Sequence, residues 1–277
     1  MGLVLRNFAR ILLALFAMGA PFAAHAQVAK DSTAGAKPAS GYVVTLGGFA
    51  AFEPRFEGSR RNAWGFIPMF DIREAGDKEW LNLPRDGIDL ALLETDTFRA
   101  GVVGNFRWER DTNSLVRGYR RVGDIDLSLE GGLFAELWPA QWLRTRVEVR
   151  RALIGASGLT ADLSADLVMT PLPSITWTTG PRLSLADERF MSSYYGVDAT
   201  QSARSGLPLY KAEAGPRSLG AGTMLRYKMS DTISYHAFIE YQRLSDVPMD
   251  SPLITRRGSP DQTTIGIGST ISFSIGD

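Results

Sequence analysis

The chain has 277 residues, with 30 basic and 30 acidic side chains and no cysteine. This charge balance excludes the basic excess that nucleic-acid binding requires, and the lack of cysteine excludes disulfides and a lipid anchor on an N-terminal cysteine. After residue 26 no stretch approaches the roughly 18 apolar residues of a membrane-spanning helix. Only helices and closed barrels satisfy every backbone hydrogen bond in lipid, so a membrane protein with this sequence must be a closed β-barrel.

The first 26 residues have the order of a secretory signal peptide. Arg6 and Arg10 precede an apolar run at 11–18, Pro21 interrupts it, and 24–26 has the small-x-small pattern of a cleavage site. The run is too short to span a bilayer, which disfavours an uncleaved anchor. Without this segment the chain carries 28 basic and 30 acidic side chains, a net charge of −2. The domains expected are a cleaved signal peptide over 1–26, a flexible leader over 27–40 and a barrel over 41–277.

The first four predicted strands lie between residues 42 and 93, and short connections follow the second and the third of them. Alternating residues predict strands over 42–53 and 63–73, and the connection at 74–78 is short. Pro84 to Gly87 is a good turn sequence, so we expect the chain to reverse there, between short strands over 79–84 and 87–93.

The middle of the chain shows the clearest alternation with a period of two, which is typical of a strand with two unlike faces. Further strands are predicted over 97–109, 123–137, 143–150 and 159–170. In 123–137 one face has Ile125, Leu127, Leu129, Gly131, Leu133, Ala135 and Leu137, while the other has Asp124, Asp126, Ser128, Glu130, Gly132 and Glu136, with Phe134 as the exception. Full charges on one face fit a wet lumen opposite a lipid-facing surface.

The last third of the chain adds predicted strands over 174–186, 217–229, 232–245 and 262–275, which brings the total to twelve, with ten as the alternative. Long connections at 54–62, 110–122, 187–216 and 246–261 alternate with short ones, as in bacterial outer-membrane barrels. A soluble barrel or sandwich would also alternate. Aromatic residues near strand ends favour the membrane alternative: Tyr42, Trp64, Trp80, Trp108, Trp138, Trp142, Trp177, Tyr227 and Tyr241.

Several motifs resemble the MltA-interacting protein family, also called MipA/OmpV, along residues 41–275. The most specific is one long loop motif: Tyr194, Tyr195, Gly196, Val197, Gln201, Ser202, Ser205, Gly206, Leu207, Pro208 and Tyr210. Two shorter stretches carry the rest: Tyr241, Arg243 and Leu244, then Asp250, Ser251 and Pro252, with Pro54 to Ser59 near the start. Tyr195 stands where the family usually has phenylalanine, and the chain ends four residues after Phe273 instead of on an aromatic.

The resemblance implies an outer-membrane barrel of a Gram-negative-type envelope. It implies a non-enzymatic scaffold between a lytic murein transglycosylase and a murein synthase, with links to adhesion and envelope stress in other members. It implies no catalytic residue, cofactor or metal. The signature loop either folds over the mouth of the lumen or contacts a partner, and long ordered loops need internal packing, which favours the first.

Two other functions stay open from the residues alone. A hydrolase would have to use His236, the one histidine after the signal peptide, with Ser234 and Glu240 on the same strand face; a structural histidine is the more common case. A small-solute pore would need an open lumen. Pairs between Asp162 or Asp166 and the arginines at 144, 146 and 150 on the adjacent predicted strand would fill it instead.

Overall fold

The computed structural model describes residues 41–107, 128–155 and 158–276. They form one antiparallel sheet of eleven strands that curves into a nearly closed barrel. The strands are β1 (Tyr42–Pro54), β2 (Asn62–Glu74), β3 (Ile88–Glu94), β4 (Phe98–Arg107), β5 (Ser128–Ala140), β6 (Leu143–Ile154), β7 (Leu159–Leu172), β8 (Ile175–Ala186), β9 (Gly215–Lys228), β10 (Ile233–Leu244) and β11 (Asp261–Ile275). The expected signal peptide over 1–26 and leader over 27–40 lie outside the described residues, as do Trp108, the loop at 110–122 and the start of the strand predicted at 123–137.

The barrel wall has charged side chains inside and apolar side chains outside, as the alternation predicted. On β6 the residues Arg144, Arg146, Glu148 and Arg150 are all at most 4% exposed. The outer surface carries exposed apolar residues on many of the strands, among them Trp64, Phe70, Leu90, Leu133, Leu153, Leu219, Leu225, Ile267 and Ile271. This arrangement is the inverse of a soluble protein and is the one that a lipid solvent selects.

The prediction of twelve strands is wrong, because residues 79–84 are not part of the wall. The chain leaves β2 at Glu74, and residues 75–87, here called the luminal segment, run through the interior before β3 begins. Trp80, Leu81 and Leu83 are buried against luminal residues instead of facing lipid. The predicted reversal does occur, since the Asp86 N–H donates to the Leu83 carbonyl at 3.0 Å and Gly87 has a positive φ of 69°.

Because the luminal segment replaces a strand, the wall has a seam. Strands β2 and β3 are the two edges of the sheet, and no ladder joins them. They approach closely enough to leave the barrel nearly closed. Ten antiparallel pairings separate the two edges, so both strands run in the same direction. Pro68 lies in the edge strand β2, where its missing N–H costs no ladder hydrogen bond.

The two ends of the barrel differ in the length of their connections, as predicted. One end, the turn end, has short connections at 95–97, 141–142, 173–174 and 229–232, together with Tyr42 and Ile275. The opposite end, the loop end, has the connections at 55–61, 187–214 and 245–260. The connection predicted as short at 74–78 is instead the first part of the luminal segment.

Most of the predicted aromatic residues lie on the outer surface. Tyr42, Trp64, Trp142, Trp177, Tyr227 and Tyr241 are between 42% and 72% exposed. Trp80 and Trp138 do not belong to this set, since both face the lumen and their ring centroids lie 6.3 Å apart. No helix in the described part of the chain is long and apolar enough to cross a membrane.

Candidate functional site

A network of buried ion pairs crosses the lumen. Within the described residues it joins eight arginines (85, 99, 107, 144, 146, 150, 182, 217) to nine carboxylates (57, 86, 89, 130, 136, 148, 162, 166, 240). Arg144 lies at its centre with a fully buried side chain and contacts Asp86 at 2.7 Å, Glu136 at 2.7 Å and Asp166 at 3.3 Å. Charges removed from water this completely are stable only when paired, so the network is one cooperative unit.

The register between β6 and β7 confirms the predicted cross-strand pairs. Arg144 lies directly opposite Asp166, and Arg150 Nη2 reaches Asp162 Oδ2 at 2.5 Å. Arg146 instead bonds Glu148 and Glu136. The Phe134 ring, the exception in the alternation of its strand, lies under the Arg146 guanidinium at 4.2 Å. An aromatic face is attractive to a cation, which explains an inward phenylalanine among charges.

The luminal segment is joined to this network by two of its charged residues, Arg85 and Asp86. Arg85 donates to Glu240 at 2.7 Å, and to Asp162 and Ser184 at 2.8 Å each, so it bridges β10 with β7 and β8. Asp86 accepts from Arg144 across the lumen at 2.7 Å. The segment is therefore held to opposite sides of the wall and fills the interior between them.

Apolar packing holds the part of the luminal segment nearer the turn end. Trp80, Leu81 and Leu83 pack in one cluster with Phe49, Ala51, Trp138, Met224 and Phe238. The Trp80 indole N–H donates to Glu94 at 2.6 Å, and the Lys78 ammonium lies 4.2 Å from the Trp80 ring centroid. Burial lowers the pKa of Lys78, although nearby Glu136 raises it. In the described part of the chain, the lumen thus contains an apolar layer as well as the ion network.

A folded cap covers the loop end. It contains four short helices: α1 (Glu188–Tyr195), α2 (Ala199–Ser205), α3 (Asp246–Asp250) and α4 (Pro252–Arg257). One apolar cluster joins Phe190, Met191, Tyr194 and Tyr195 of α1 to Leu244 and Ile254. A second joins Val197 and Leu207 to Leu253, with Phe56 and Tyr210 packed against it. The cap therefore has a small hydrophobic core of its own.

The signature residues of the long loop form much of this cap. Val197 and Tyr210 form a two-way backbone bridge, and Asp198 and Gln201 cap α2 reciprocally. The Ser202 hydroxyl donates to the Leu207 carbonyl at 2.6 Å. In addition, the Ser205 hydroxyl donates to the Gln201 carbonyl at 2.6 Å, and Gly206 ends the helix in the left-handed region. Pro208 follows on the exposed side of this turn.

Residues far apart in sequence meet around Tyr195. Its fully buried hydroxyl donates to Glu57 Oε1 at 2.7 Å, and its carbonyl accepts from the Ser251 hydroxyl at 2.6 Å. Burial raises the pKa of Tyr195 well above its usual value, and the adjacent Glu57 carboxylate adds to this effect. The early Pro54 to Ser59 stretch, the long loop and the Ser251 stretch are thus one structural unit.

Other signature residues lie elsewhere. Tyr241 and Arg243 point outward from β10, and both bond the Asp261 carboxylate, at 2.5 Å and 2.7 Å. Leu244 and Pro252 are buried in the cap, whereas Asp250 is exposed. Gly196 ends α1, and its N–H donates to the Ser192 carbonyl. The signature set is therefore split between the cap and the outer surface.

A cavity of about 650 Å³ lies between the cap, the luminal segment and the seam. Its floor contains Leu83 and Arg85, and its far wall contains Met224 and Phe238. Glu53 of β1 also lines it. The volume lies within the roughly 300–1,000 Å³ of typical ligand pockets.

The three residues considered for a hydrolase are not assembled into a triad. The His236 Nε2 atom lies 3.0 Å from the Thr270 hydroxyl, and the ring packs edge-on against Phe49. Glu240 is bound to Arg85 and Gln242, and no hydrogen bond joins Ser234 to His236 among the described residues. The described ranges also hold no group of three or more histidine or acidic residues placed to bind a metal ion.

Sequence reasoning missed several residues of the lumen. Arg85 and Asp86 were interpreted only as part of a turn, and Glu57 only as part of a motif. A signal was present in the sequence, because the apolar Trp-Leu-x-Leu run directly before the charged turn does not fit an exposed connection. What that signal could not show is that the turn lies inside the barrel.

The family described as MltA-interacting protein MipA matches residues 46–273. No curated protein matches the chain. Among solved structures, an outer membrane channel from Pseudomonas putida F1 is 9% identical and has a TM-score of 0.40, with 86% of this chain and 97% of that chain covered. The NanC porin is 10% identical and has a TM-score of 0.39, with 83% of this chain and 98% of the porin chain covered. The outer membrane channel DcaP of Acinetobacter baumannii is 10% identical and has a TM-score of 0.36, with 87% of this chain and 99% of the DcaP chain covered.

Proposed function

The chain belongs to the MltA-interacting protein MipA family, and on that premise we propose that it is a non-enzymatic scaffold of the outer membrane. The bound partners would be a lytic murein transglycosylase, as the family description names MltA, and a murein synthase. The signal peptide at 1–26 would export it, and the leader at 27–40 would precede the barrel.

The observation that carries this proposal is that the luminal segment and the ion network occupy the lumen of the described barrel. The luminal segment joins opposite walls through Arg85 and Asp86, and the ion network fills the space around it. A passive solute pore needs a continuous water path, whereas a scaffold needs only a rigid, membrane-held surface. Filling the interior with cross-wall contacts makes such a barrel rigid.

The side chains on the outer surface of the barrel support the proposed location in the outer membrane. Apolar side chains cover the outside, and several half-exposed Trp and Tyr rings lie near strand ends, such as Tyr42, Trp142 and Tyr227. Lipid favours the first group and the membrane–water interface favours the second.

The turn end is the surface we assign to the murein enzymes. In bacterial barrels the short turns face the periplasm, which is where murein lies. The turns themselves are small, but the start of the luminal segment adds exposed Asp77, Lys78 and Glu79 to this end. Asp96 and Asp231 are exposed on two other turns of the same end.

The test is a pull-down of the detergent-extracted barrel from envelope membranes, with quantitative mass spectrometry of the proteins that accompany it. We expect a lytic transglycosylase and a murein synthase to be enriched over an unrelated barrel. The variant Asp96→Arg/Asp231→Arg changes the turn end and is expected to lose this enrichment. The matched control Glu188→Arg/Glu213→Arg changes exposed acids at the loop end and should keep it. The absence of any murein enzyme above the control barrel would overturn the scaffold proposal.

A further inference from the structure

Among residues 41–107, 128–155 and 158–276, the wall of the barrel has a gap beside the cavity. Strand β3 begins only at Ile88, which pairs with Gly104, while β4 continues to Arg107. Residues 105–107 of β4 therefore have no ladder partner on the seam side within the described ranges. The same holds for β2, whose only pairing strand is β1. We call this opening between β2 and β4, above the start of β3, the lateral window.

The cavity reaches the outer surface through the lateral window. Phe66 on β2 and Phe106 on β4 point outward and are 57% and 48% exposed, and both line the cavity. Pro68 and Ile88 continue this apolar rim. A passage with an apolar rim that faces lipid admits molecules from the bilayer more readily than hydrated solutes.

The interior of the cavity is divided into an apolar part and a charged part. Leu83, Met224 and Phe238 supply the apolar part. The arginines that line it are all compensated: Arg85 by Asp162 and Glu240, Arg107 by Glu57 and Glu130, with Arg150, Arg182 and Arg217 also bound to carboxylates. An incoming anion would therefore find no free guanidinium among them.

Glu53 is the exception among the charged lining residues. Its side chain is half-buried and has no ion-pair or hydrogen-bond partner among the described residues. It extends over Gly65 of β2, where a methyl group added to the glycine would lie 2.5 Å from Glu53 Oε1. The absence of a side chain at Gly65 thus makes room for this carboxylate close to the lateral window.

We propose that the cavity binds an amphipathic amine, which enters from the membrane through the lateral window and places its ammonium group against Glu53. The apolar chain would lie along Leu83, Met224 and Phe238. A carboxylate that lacks a protein cation in a poorly hydrated cavity gains most from a cationic ligand, since charge-assisted hydrogen bonds are the strongest available. This site does not depend on the scaffold role.

The binding test uses dodecylamine and dodecanoate as probes that share one apolar chain and differ in charge. The barrel is placed in lipid nanodiscs with each probe, and native mass spectrometry counts the molecules retained. We expect one dodecylamine per barrel and about tenfold less dodecanoate, the ratio that one charge-assisted hydrogen bond produces. Glu53→Gln should abolish the preference, whereas Glu213→Gln, which changes an exposed loop acid, should leave it unchanged.

A second pair of variants tests where in the barrel the probe binds and whether it enters through the lateral window. Gly222 lines the cavity, and an added Cβ there meets only side-chain atoms of Arg182 and Glu240, at 3.4 Å. Gly222→Leu should therefore reduce retention while the barrel still folds, as judged by its heat-modifiable migration. Gly104→Trp, at the lateral window with no atom closer than 3.8 Å to its Cβ, should slow uptake from the bilayer. Leu133→Trp places the same ring on the outer face of β5 and should not.

Three results would overturn the proposal. The first is equal retention of dodecylamine and dodecanoate, and the second is retention of neither. The third is retention that Gly222→Leu leaves unchanged, which would place the probe on the outer surface.

Discussion

Replacing Arg144 by methionine is the sharpest test of the luminal ion network. The guanidinium is fully buried, and its loss removes contacts to Asp86, Glu136 and Asp166. Methionine keeps the length and apolar stem of the side chain, so the substitution removes charge without leaving a large cavity.

The magnitude follows from what each carboxylate keeps. Glu136 retains Arg146 at 3.0 Å, whereas the nearest cation left to Asp86 is Arg146 at 3.9 Å, beside the Leu83 N–H that donates to it at 2.8 Å. Asp166 retains Arg182 at 2.5 Å. Breaking a buried ion pair costs about 3–5 kcal/mol of unfolding free energy, and because two of the three carboxylates keep a close partner we expect about 3 kcal/mol.

The assay is urea unfolding in detergent micelles, followed by tryptophan fluorescence. Arg144→Lys keeps the charge but not the planar fork and should lose about half as much. The double variant Arg144→Met/Asp86→Asn removes the stranded carboxylate and should recover about 1 kcal/mol or more. A loss below about 1 kcal/mol for Arg144→Met, or no recovery in the double variant, would refute the view that the network is a cooperative unit.

Three further predictions concern the luminal segment, the cap and the outer surface of the barrel. Arg85→Ala releases the luminal segment from two walls, so we expect discrete current steps in planar bilayers where the wild-type barrel stays silent. Tyr195→Phe removes the hydroxyl bound to Glu57 and should cost about 1–2 kcal/mol in urea unfolding at neutral pH. Because burial raises the pKa of Tyr195, its stabilising proton is fully bound below pH about 10 and is lost as pH rises toward the folded-state pKa; the difference between wild type and variant should therefore shrink above pH 10. Arg243→Ala removes only exposed contacts, to Asp261 and the Met249 sulfur, and should leave the urea midpoint of unfolding unchanged.

Most of the wall could be predicted because strand faces are set by a local pattern. On β6 and β7 the period of two placed Arg144 and Asp166 on the lumen side and, with antiparallel neighbours, opposite each other. Nothing but alternation and turn position was needed, since both are encoded within about ten neighbouring residues.

The luminal segment could not be predicted in the same way. Trp80, Leu81 and Leu83 are apolar, and an apolar residue is stable either against lipid or inside a filled barrel. The choice depends on Phe49, Trp138 and other residues that are far away in sequence. The sequence prediction therefore counted residues 79–84 as one of twelve strands, whereas the structure has eleven strands and an unpaired seam between β2 and β3, which run in the same direction. Trp138 was predicted among the interfacial aromatic residues for the same reason, whereas it is buried in the lumen.

The cap was predicted in composition but not in arrangement. Turn-forming residues such as Gly206 and Pro208 indicated a folded loop, and the family resemblance indicated which residues belong to it. The hydrogen bond from Tyr195 to Glu57 joins positions that are 138 residues apart. Contacts of that range leave no periodic trace in a single sequence.

The position of the seam has a consequence for how this barrel assembles and comes apart. The first and last strands are hydrogen-bonded along eleven positions, from Tyr42 opposite Ile275 to Phe52 opposite Ile265. Joining chain ends so far apart in sequence is the slow, entropically costly step of folding, so it comes late. Once formed, the pairing between β1 and β11 is continuous. The weakest contact between neighbouring strands is then the one between β2 and β3, which are close in sequence. A barrel extracted mechanically should therefore split first at the seam between β2 and β3, while β1 and β11 stay paired.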